Sequence, residues 1–431
     1  QRRPVIKGRM TAGSTEPTET GYFEMHDQQA LHTDVVILGG GLNGAAMALA
    51  LAHGGMKSVV IDYADPKTIL SANYDGRTCA IAAASKSVLD VVGAWKHMAD
   101  EAEPILDIRI ADGQSPLFLH YDHHDIGDEP LGYIVENLVT RGALYRAIAK
   151  NDLVEMIAPA RVSEIARYQG GMTITLDDGR SVRAPLAVGA EGRNSMLRKW
   201  AGIKTYQWSY KQSAVVCTVK HKQPHIGLAV EHFLPAGPFA ILPMTDNRCS
   251  IVWTEGTDLA NYLVNLDEET FVDELHRRFD GYLGDLEVVG PRFCYPLGLQ
   301  HAYHYTQDRI TLIGDAAHGM HPIAGQGLNM GIRDVAVLAE ILVNARRLGR
   351  DIGSADVLAE YEQWRRFDNT VMLAVTDLTN RLFSNDIAPI RWARDIGLAV
   401  VQKIPPLKKT FMSHAMGYAG TLPKLMQGKS L

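Results

Sequence analysis

The chain has 431 residues, 46% of them hydrophobic, and a formal net charge of -6, so it can build two or three lobes around substantial cores and carries no basic field for nucleic acid. Its four cysteines, Cys79, Cys217, Cys249 and Cys294, lack any C-x-x-C spacing, which argues against a zinc knuckle, a redox dithiol or a secreted disulfide framework and suits a reducing cytoplasm. No run approaches the roughly 20 apolar residues needed to cross a bilayer, so a soluble protein is expected.

Residues 1–33 hold Arg2, Arg3, Lys7 and Arg9, then a polar stretch, with no apolar core for a signal peptide. A flexible leader is expected, with an amphipathic targeting sequence as the weaker rival. Behind it, Asp34 to Leu38 reads as a buried parallel strand. It runs into Gly39-Gly40-Gly41-Leu42-Asn43-Gly44 and then the helical run Ala45 to His53. Gly39 suits the tight turn, Gly41 the close approach of backbone to a pyrophosphate, and Gly44 the packing of helix on strand. The helix N-terminus then faces the phosphates. A second apolar strand, Ser58 to Ile61, ends at Asp62, placed to accept hydrogen bonds from an adenosine ribose. These elements predict a dinucleotide site and leave the choice between NAD and FAD open.

His120, His123 and His124 lie in a Tyr-Asp-His-His-Asp context without a convincing ligand set, so a solvated loop is expected and no metal. Further on, Ala214 to His221, His232 to Met244 and Cys249 to Glu255 are strand-like and predict an antiparallel sheet that walls a substrate pocket. The spacing of Phe271, Leu275 and Phe279 predicts a helix over 268–279.

The choice of cofactor comes from the segment Arg309 to Asn329. A strand delivers Gly314 and Asp315 to a loop containing Ala316, Ala317, His318 and Pro322. Gly325-Gln326-Gly327-Leu328-Asn329 then opens a helix with apolar residues at Leu328, Ile332, Val335, Leu338 and Leu342. Asp315 at a strand end suits the hydroxyls of a ribityl chain, which FAD has and NAD lacks. Unpaired N–H groups at the Gly-Gln-Gly helix start would stabilise negative charge on the pyrimidine end of a reduced flavin. The tail 387–409 mixes Ile390, Trp392, Ile396, Leu398 and Val401 with Arg391, Arg394, Lys403, Lys408 and Lys409. Such a helix packs on its own protein or lies on a membrane surface or partner, and Pro405-Pro406 limits its length.

Gly314-Asp315-Ala-Ala-His318, Pro322 and Gly325 to Asn329 resemble the GD motif of the para-hydroxybenzoate-hydroxylase-like flavoprotein monooxygenases, and Gly189 to Arg198 is similar to that group's DG motif, with Glu191 where Asp is usual. Asp75-Gly76-Arg77 and Glu136-Asn137 through Arg141 to Leu144 match further family positions, and the resemblance implies cofactor contacts for Arg77, Arg141, Glu191, Leu328 and Asn329. Pro322, Gly325, Gln326 and Gly327 would then stand beside the flavin ring. The stretch Leu382 to Asn385, Arg391, Gly397-Leu398, Pro405 to Lys408 and Ala415 to Gly417 looks like the tail of the ubiquinone-biosynthesis hydroxylases.

That resemblance implies a mixed α/β architecture: a discontinuous Rossmann-like FAD domain (34–110, 135–203, 300–345), an antiparallel-sheet substrate domain (111–134, 205–299) and a C-terminal helical region (346–431). It also implies chemistry: NAD(P)H or another donor reduces FAD, O2 is captured, and a flavin hydroperoxide hydroxylates the ring of a polyprenylated phenol, a lipophilic quinone precursor. An isoprenoid-chain reductase or a non-catalytic flavoprotein assembly factor are the alternatives. A cytoplasmic protein, in peripheral contact with membrane or a biosynthetic complex through the C-terminal region, completes the expectation.

Overall fold

The computed structural model describes residues 30–71, 76–113, 115, 117–279, 281–384, 394, 397–398 and 400–431. Val35–Leu38 lies inside a six-stranded sheet running from Thr306–Gln307 through Ile310–Leu312, Leu186–Gly189, Val35–Leu38 and Ser58–Ile61 to Val154–Ile157. Every neighbouring pair in it is parallel except the first. Both faces are covered, which is why these strands read as unbroken apolar runs.

Helix Leu42–His53 is buried from Gly44 to Ala52 and packs on the long helix Gln326–Arg347, whose Ile332, Val335, Leu338 and Leu342 enter the same core. Alanine fills the first helix because the two approach closely. A Cβ on Gly54 would meet Val343 Cγ2 at 2.2 Å.

On the other face of the parallel sheet, a four-stranded sheet ordered Leu31–His32, Ser181–Ala184, Gly171–Leu176, Val162–Tyr168 closes a second core around Val36, Leu38, Ile174 and Val182. Leu31 and His32, assigned to the leader from sequence, pair in parallel with Val182 and Arg183. The segment is too short and irregular for periodicity to reveal. Residues 1–29, the rest of the leader, lie outside the described residues.

The third layer is an eight-stranded sheet ordered His318–Gly319, Leu286–Ala302, Thr205–His221, Arg248–Gly256, Gly237–Met244, Leu228–Leu234, Asp107–Asp112, Phe118–Asp122. It is antiparallel except that Leu228–Leu234 runs parallel to Asp107–Asp112. The run 232–244, expected as one strand, is a hairpin with Pro235-Ala236 as its two-residue turn, Leu234 pairing with Gly237. Alternation sorts its two faces. Val215, Cys217, Val219, Phe239, Ile241, Ile251 and Trp253 pack on helix Glu268–Phe279, which buries Phe271, Leu275 and Phe279 as its spacing predicts. Ala214, Val216, Ala240, Leu242, Val252 and Thr254 face the opposite way, into the cavity.

The C-terminal region supplies helix Ala355–Phe383 and helix Pro405–Ala415. Of the amphipathic tail expected over 387–409, residues 387–393, 395, 396 and 399 lie outside the described residues; so does Asp75 of the Asp-Gly-Arg segment. Among the described residues, no helix is long and apolar enough to cross a membrane.

Candidate functional site

A cavity of about 2050 Å³ lies between the parallel sheet and the eight-stranded sheet. Drug-sized ligands occupy pockets of roughly 300–1,000 Å³, so this one has room for a dinucleotide and a second large molecule. Thirteen of the residues singled out from sequence line it: Gly39, Gly41, Asp62, Arg77, Arg141, Glu191, Asp315, Pro322, Gly325, Gln326, Gly327, Leu328 and Asn329.

The two glycines that do not line it act by packing. A Cβ on Gly44 would stand 1.8 Å from the Gly39 carbonyl oxygen and 3.2 Å from Ala190 Cβ, so this position locks the first turn of the helix onto the loop and the neighbouring strand end. Gly314 has φ +56, presses on Asn43, and donates its N–H to Asp334 Oδ2 at 3.0 Å. Its N–H is thereby directed to the protein interior.

Gly41 behaves differently. Nothing lies within 4 Å of a Cβ built on it, and helix Leu42–His53 has no side-chain cap, so bare N–H groups face open space. Beside them Asp62 accepts from Gly40 N–H (2.5 Å) and Ala64 N–H (2.8 Å), which orients its carboxylate at the cavity wall. Tyr145 donates to the Gly40 carbonyl (2.9 Å) and braces the loop from behind.

The Gly189–Arg198 turn ties the two halves together. Ser195 donates to Glu191 Oε2, and Met196 and Leu197 N–H reach Oε1 at 3.2 and 3.3 Å. Glu191 therefore caps the short helix Met196–Trp200. Burial pushes its carboxyl up, against the pull of these bonds. Arg198, buried, donates to the Ala316 carbonyl at 2.8 Å, and Arg193 to the Gly298 carbonyl at 2.8 Å, so the turn grips both the Asp315 loop and the eight-stranded sheet. Asp315 looks into the cavity. Its enclosure raises the carboxyl, while Arg193, 3.9 Å away, opposes the shift.

The next loop delivers Pro322 to the cavity wall and enters helix Gln326–Arg347 through Gly325 at φ +62, where a Cβ would meet Ala80 Cβ at 2.6 Å. This helix also starts without a side-chain cap. Asn329 secures the entry by accepting from Ala82 N–H (2.9 Å) and donating to the Ala80 carbonyl (2.8 Å), so its amide is spent on the protein while its edge lines the cavity.

A network that the sequence did not disclose stands behind this loop. Asp334 is fully buried in helix Gln326–Arg347 and binds Arg365 Nε (2.7 Å), His318 Nε2 (2.5 Å), Asn369 Nδ2 (3.2 Å) and the Gly314 N–H. Burial alone would raise its carboxyl; the His318 and Arg365 contacts outweigh that and hold it far below the usual range. One signal was available: Asp334 falls four residues before Leu338, one turn along the same buried face of its helix. Elsewhere, His120 pairs with Asp107 (2.8 Å), while Asp122, His123 and His124 sit together in a short surface turn with His124 Nδ1 2.9 Å from Asp122.

The groups fit a dinucleotide whose far end bears a polyol and an acidic ring. Open backbone stands at Gly41, two uncapped helix starts and two arginines converge on one cavity, and Asn43 Oδ1 is buried there with no hydrogen-bond partner among the described residues. A cradle of that kind opening onto an apolar sheet defines a flavin-dependent oxidoreductase of the two-lobed hydroxylase class. The family model described as FAD binding domain matches residues 32–374.

Ubiquinone hydroxylase UbiL of Rhodospirillum rubrum is 50% identical over 431 residues, covering 99% of this chain and 99% of that protein. The 3-demethoxyubiquinol 3-hydroxylase of Escherichia coli is 34% identical, over 89% of this chain and 98% of that one. The mitochondrial ubiquinone biosynthesis monooxygenase of Homo sapiens is 34% identical, over 96% of each. This chain belongs to the FAD-dependent ubiquinone-biosynthesis hydroxylase family; it is an FAD-dependent monooxygenase. Among solved structures, p-nitrophenol 4-monooxygenase PnpA from Pseudomonas putida matches with a TM-score of 0.75 at 20% identity, over 91% of this chain and 100% of that one, a likeness of fold.

Proposed function

We propose that this chain hydroxylates the aromatic ring of a polyprenylated phenol on the way to ubiquinone, with the ring held between FAD and the eight-stranded sheet. The carrying observation is that a single cavity runs from the Gly41 and Asp62 cradle to an apolar wall of Ala214, Val216, Ala240, Leu242 and Val252. Bound FAD, reduced by NAD(P)H or another donor, supplies the two electrons with which O2 yields one ring hydroxyl and one water.

The chain's own residues bind, orient and exclude. Gly41 and the helix start at Leu42 would receive the pyrophosphate, Asp62 the adenosine ribose, and Asp315 the ribityl chain. Arg77 and Arg141 stand at the same cavity with positive charge for the cofactor. The N–H groups at Gln326 and Gly327 would face the pyrimidine edge and favour its anionic reduced form, with Pro322 beside the ring. Gly325, Gly314, Leu328 and Asn329 shape that loop, and Glu191 fixes the turn that joins the lobes. Apolar side chains on the sheet keep water from the reacting ring, which is what hydroxylation without loss to peroxide requires.

The same cavity supports a reading of lipid contact. Phe367, Val371, Val375 and Leu382 line it and are also exposed on helix Ala355–Phe383, where Phe367 is 73% and Leu378 65% exposed. An apolar face that is continuous with the substrate chamber suits a lipid surface from which a prenylated substrate is drawn. The test of the reaction is FAD-loaded protein given a reductant and a short-chain prenylphenol under 18O2. The expected product gains one 18O on the ring; reductant consumption without any labelled product overturns the proposal.

A further inference from the structure

Glu231 stands in the middle of the apolar face that walls the chamber. Strand Leu228–Leu234 turns Ala229, Glu231 and Phe233 toward the cavity, and Glu231 lies between Ile110 on one side and Ala240 on the other. The transverse row through it reads Leu119, Ile110, Glu231, Ala240, Val252, Val216, Phe293. It is the one charged residue in that row.

Its carboxylate makes no hydrogen bond or ion pair among the described residues, in contrast to Asp112, two positions beyond Ile110, which is held by Arg394 at 2.7 Å. An unpaired carboxylate against apolar walls is costly unless a donor meets it. Burial accordingly pushes Glu231 up to about 7. Among the described residues no such donor meets it, so a ligand is the natural source.

We propose that Glu231 accepts a hydrogen bond from the ring hydroxyl of the phenolic substrate and so decides which edge of the ring is turned toward the flavin. The position suits that task. Neighbouring strands lie about 4.8 Å apart, which puts Glu231 roughly 10 Å from Val252, enough for a substituted ring to lie across Ala240. Beyond Val252 and Val216 the row ends at Phe293, whose ring packs against Gly76 next to Arg77 on the cofactor side. The hydroxyl is thus drawn away from the cofactor and the opposite ring edge is presented to it. This assignment rests on the reading of the substrate as a phenol.

The experiment uses FAD-loaded wild type, Glu231→Gln and Glu231→Leu with a prenylphenol and its methyl ether. Affinity is read from flavin fluorescence and turnover from oxygen uptake and hydroxylated product. Losing a hydrogen bond to a charged group is expected to weaken phenol binding roughly 10- to 100-fold in Glu231→Leu. The variant should treat phenol and ether alike, while Glu231→Gln, which can still accept, stays within about tenfold of wild type. FAD content and melting temperature establish that both variants are folded. If Glu231→Leu keeps the wild-type affinity and the wild-type preference for phenol over ether, the assignment of Glu231 is wrong while the hydroxylase reading stands. If wild type neither binds nor hydroxylates any phenol, the substrate reading fails and this assignment falls with it.

Discussion

Arg365 Nε donates to Asp334 Oδ1 across 2.7 Å, and neither side chain reaches solvent. The pair joins helix Ala355–Phe383 to helix Gln326–Arg347 directly behind the loop of Asp315 and Pro322. Replacing Asp334 by Asn keeps the shape and removes the charge, which leaves the buried Arg365 guanidinium with only the partly exposed Asp368, 3.0 Å away, as a counter-ion. About 3–5 kcal/mol of stability should be lost. Since Asp334 Oδ2 also holds the Gly314 N–H, flavin should be lost during purification as well. Chemical denaturation and the ratio of flavin to protein absorbance measure both; a yellow Asp334→Asn protein of wild-type stability contradicts this account.

Two alanine substitutions in one loop should fail in different ways. Gly44→Ala forces a methyl into the Gly39 carbonyl and should destabilise the protein with or without FAD. Gly41→Ala meets open space, so the apo protein should melt within about 1 kcal/mol of wild type. Its FAD affinity should nonetheless fall, because the methyl occupies the approach of the pyrophosphate. Melting curves taken with and without added FAD separate the two.

Stability should depend on pH through Glu231. Its folded carboxyl is raised to about 7 from an ordinary value of 4.5, so the folded state holds the proton more tightly than the unfolded chain. Stability from this group is therefore present at low pH, falls as pH rises between those two values and is level above. The loss should be about 1–3 kcal/mol, reduced from the full shift by water in the cavity. Asp112 with Arg394, and Tyr121, Tyr210 and Tyr295, also stand on that face among the described residues; the first two neutralise each other, and burial raises Tyr121 and Tyr210 further above the window. Apo wild type minus apo Glu231→Gln, followed by denaturation at successive pH values, isolates the effect; a flat difference contradicts it.

The exposed apolar side of helix Ala355–Phe383 makes a prediction about surfaces. Phe367→Glu with Leu378→Glu should abolish co-sedimentation with lipid vesicles while leaving the melting temperature of the apo protein close to that of wild type, since exposed positions contribute little to stability. Equal sedimentation of the double variant and wild type would remove the lipid-facing role.

What the sequence disclosed follows from the range of the interactions. Gly39, Gly41, Gly44 and Asp62 are legible because strand, turn and helix are contiguous and backbone geometry permits only glycine at the tight points. Asp315 and Gly325 to Gly327 are legible for the same reason. Arg365 binds Asp334 from 31 residues away, and Arg198 reaches Ala316 from 118 residues away. Neither contact leaves a local pattern. Strand pairing hid the rest: Ala229, Glu231 and Phe233 share the cavity face of Leu228–Leu234, and one acidic residue between two apolar ones gives no alternation to read, so Glu231 looks like an ordinary surface residue. The hairpin at Pro235 was missed because apolar residues on either side kept the run continuous.

Helix Ala355–Phe383 has 29 residues and extends about 43 Å. Its Arg365 is bolted to the carboxylate that shapes the flavin loop, while Phe367, Val375 and Leu378 lie bare along its outside. It is tied along its length, through Tyr361 to the Leu312 carbonyl, Glu362 to Thr306, Arg365 to Asp334, Asp377 to Tyr210 and Asn380 to Gln212, so it acts as a strut that spans from the parallel sheet to the eight-stranded sheet.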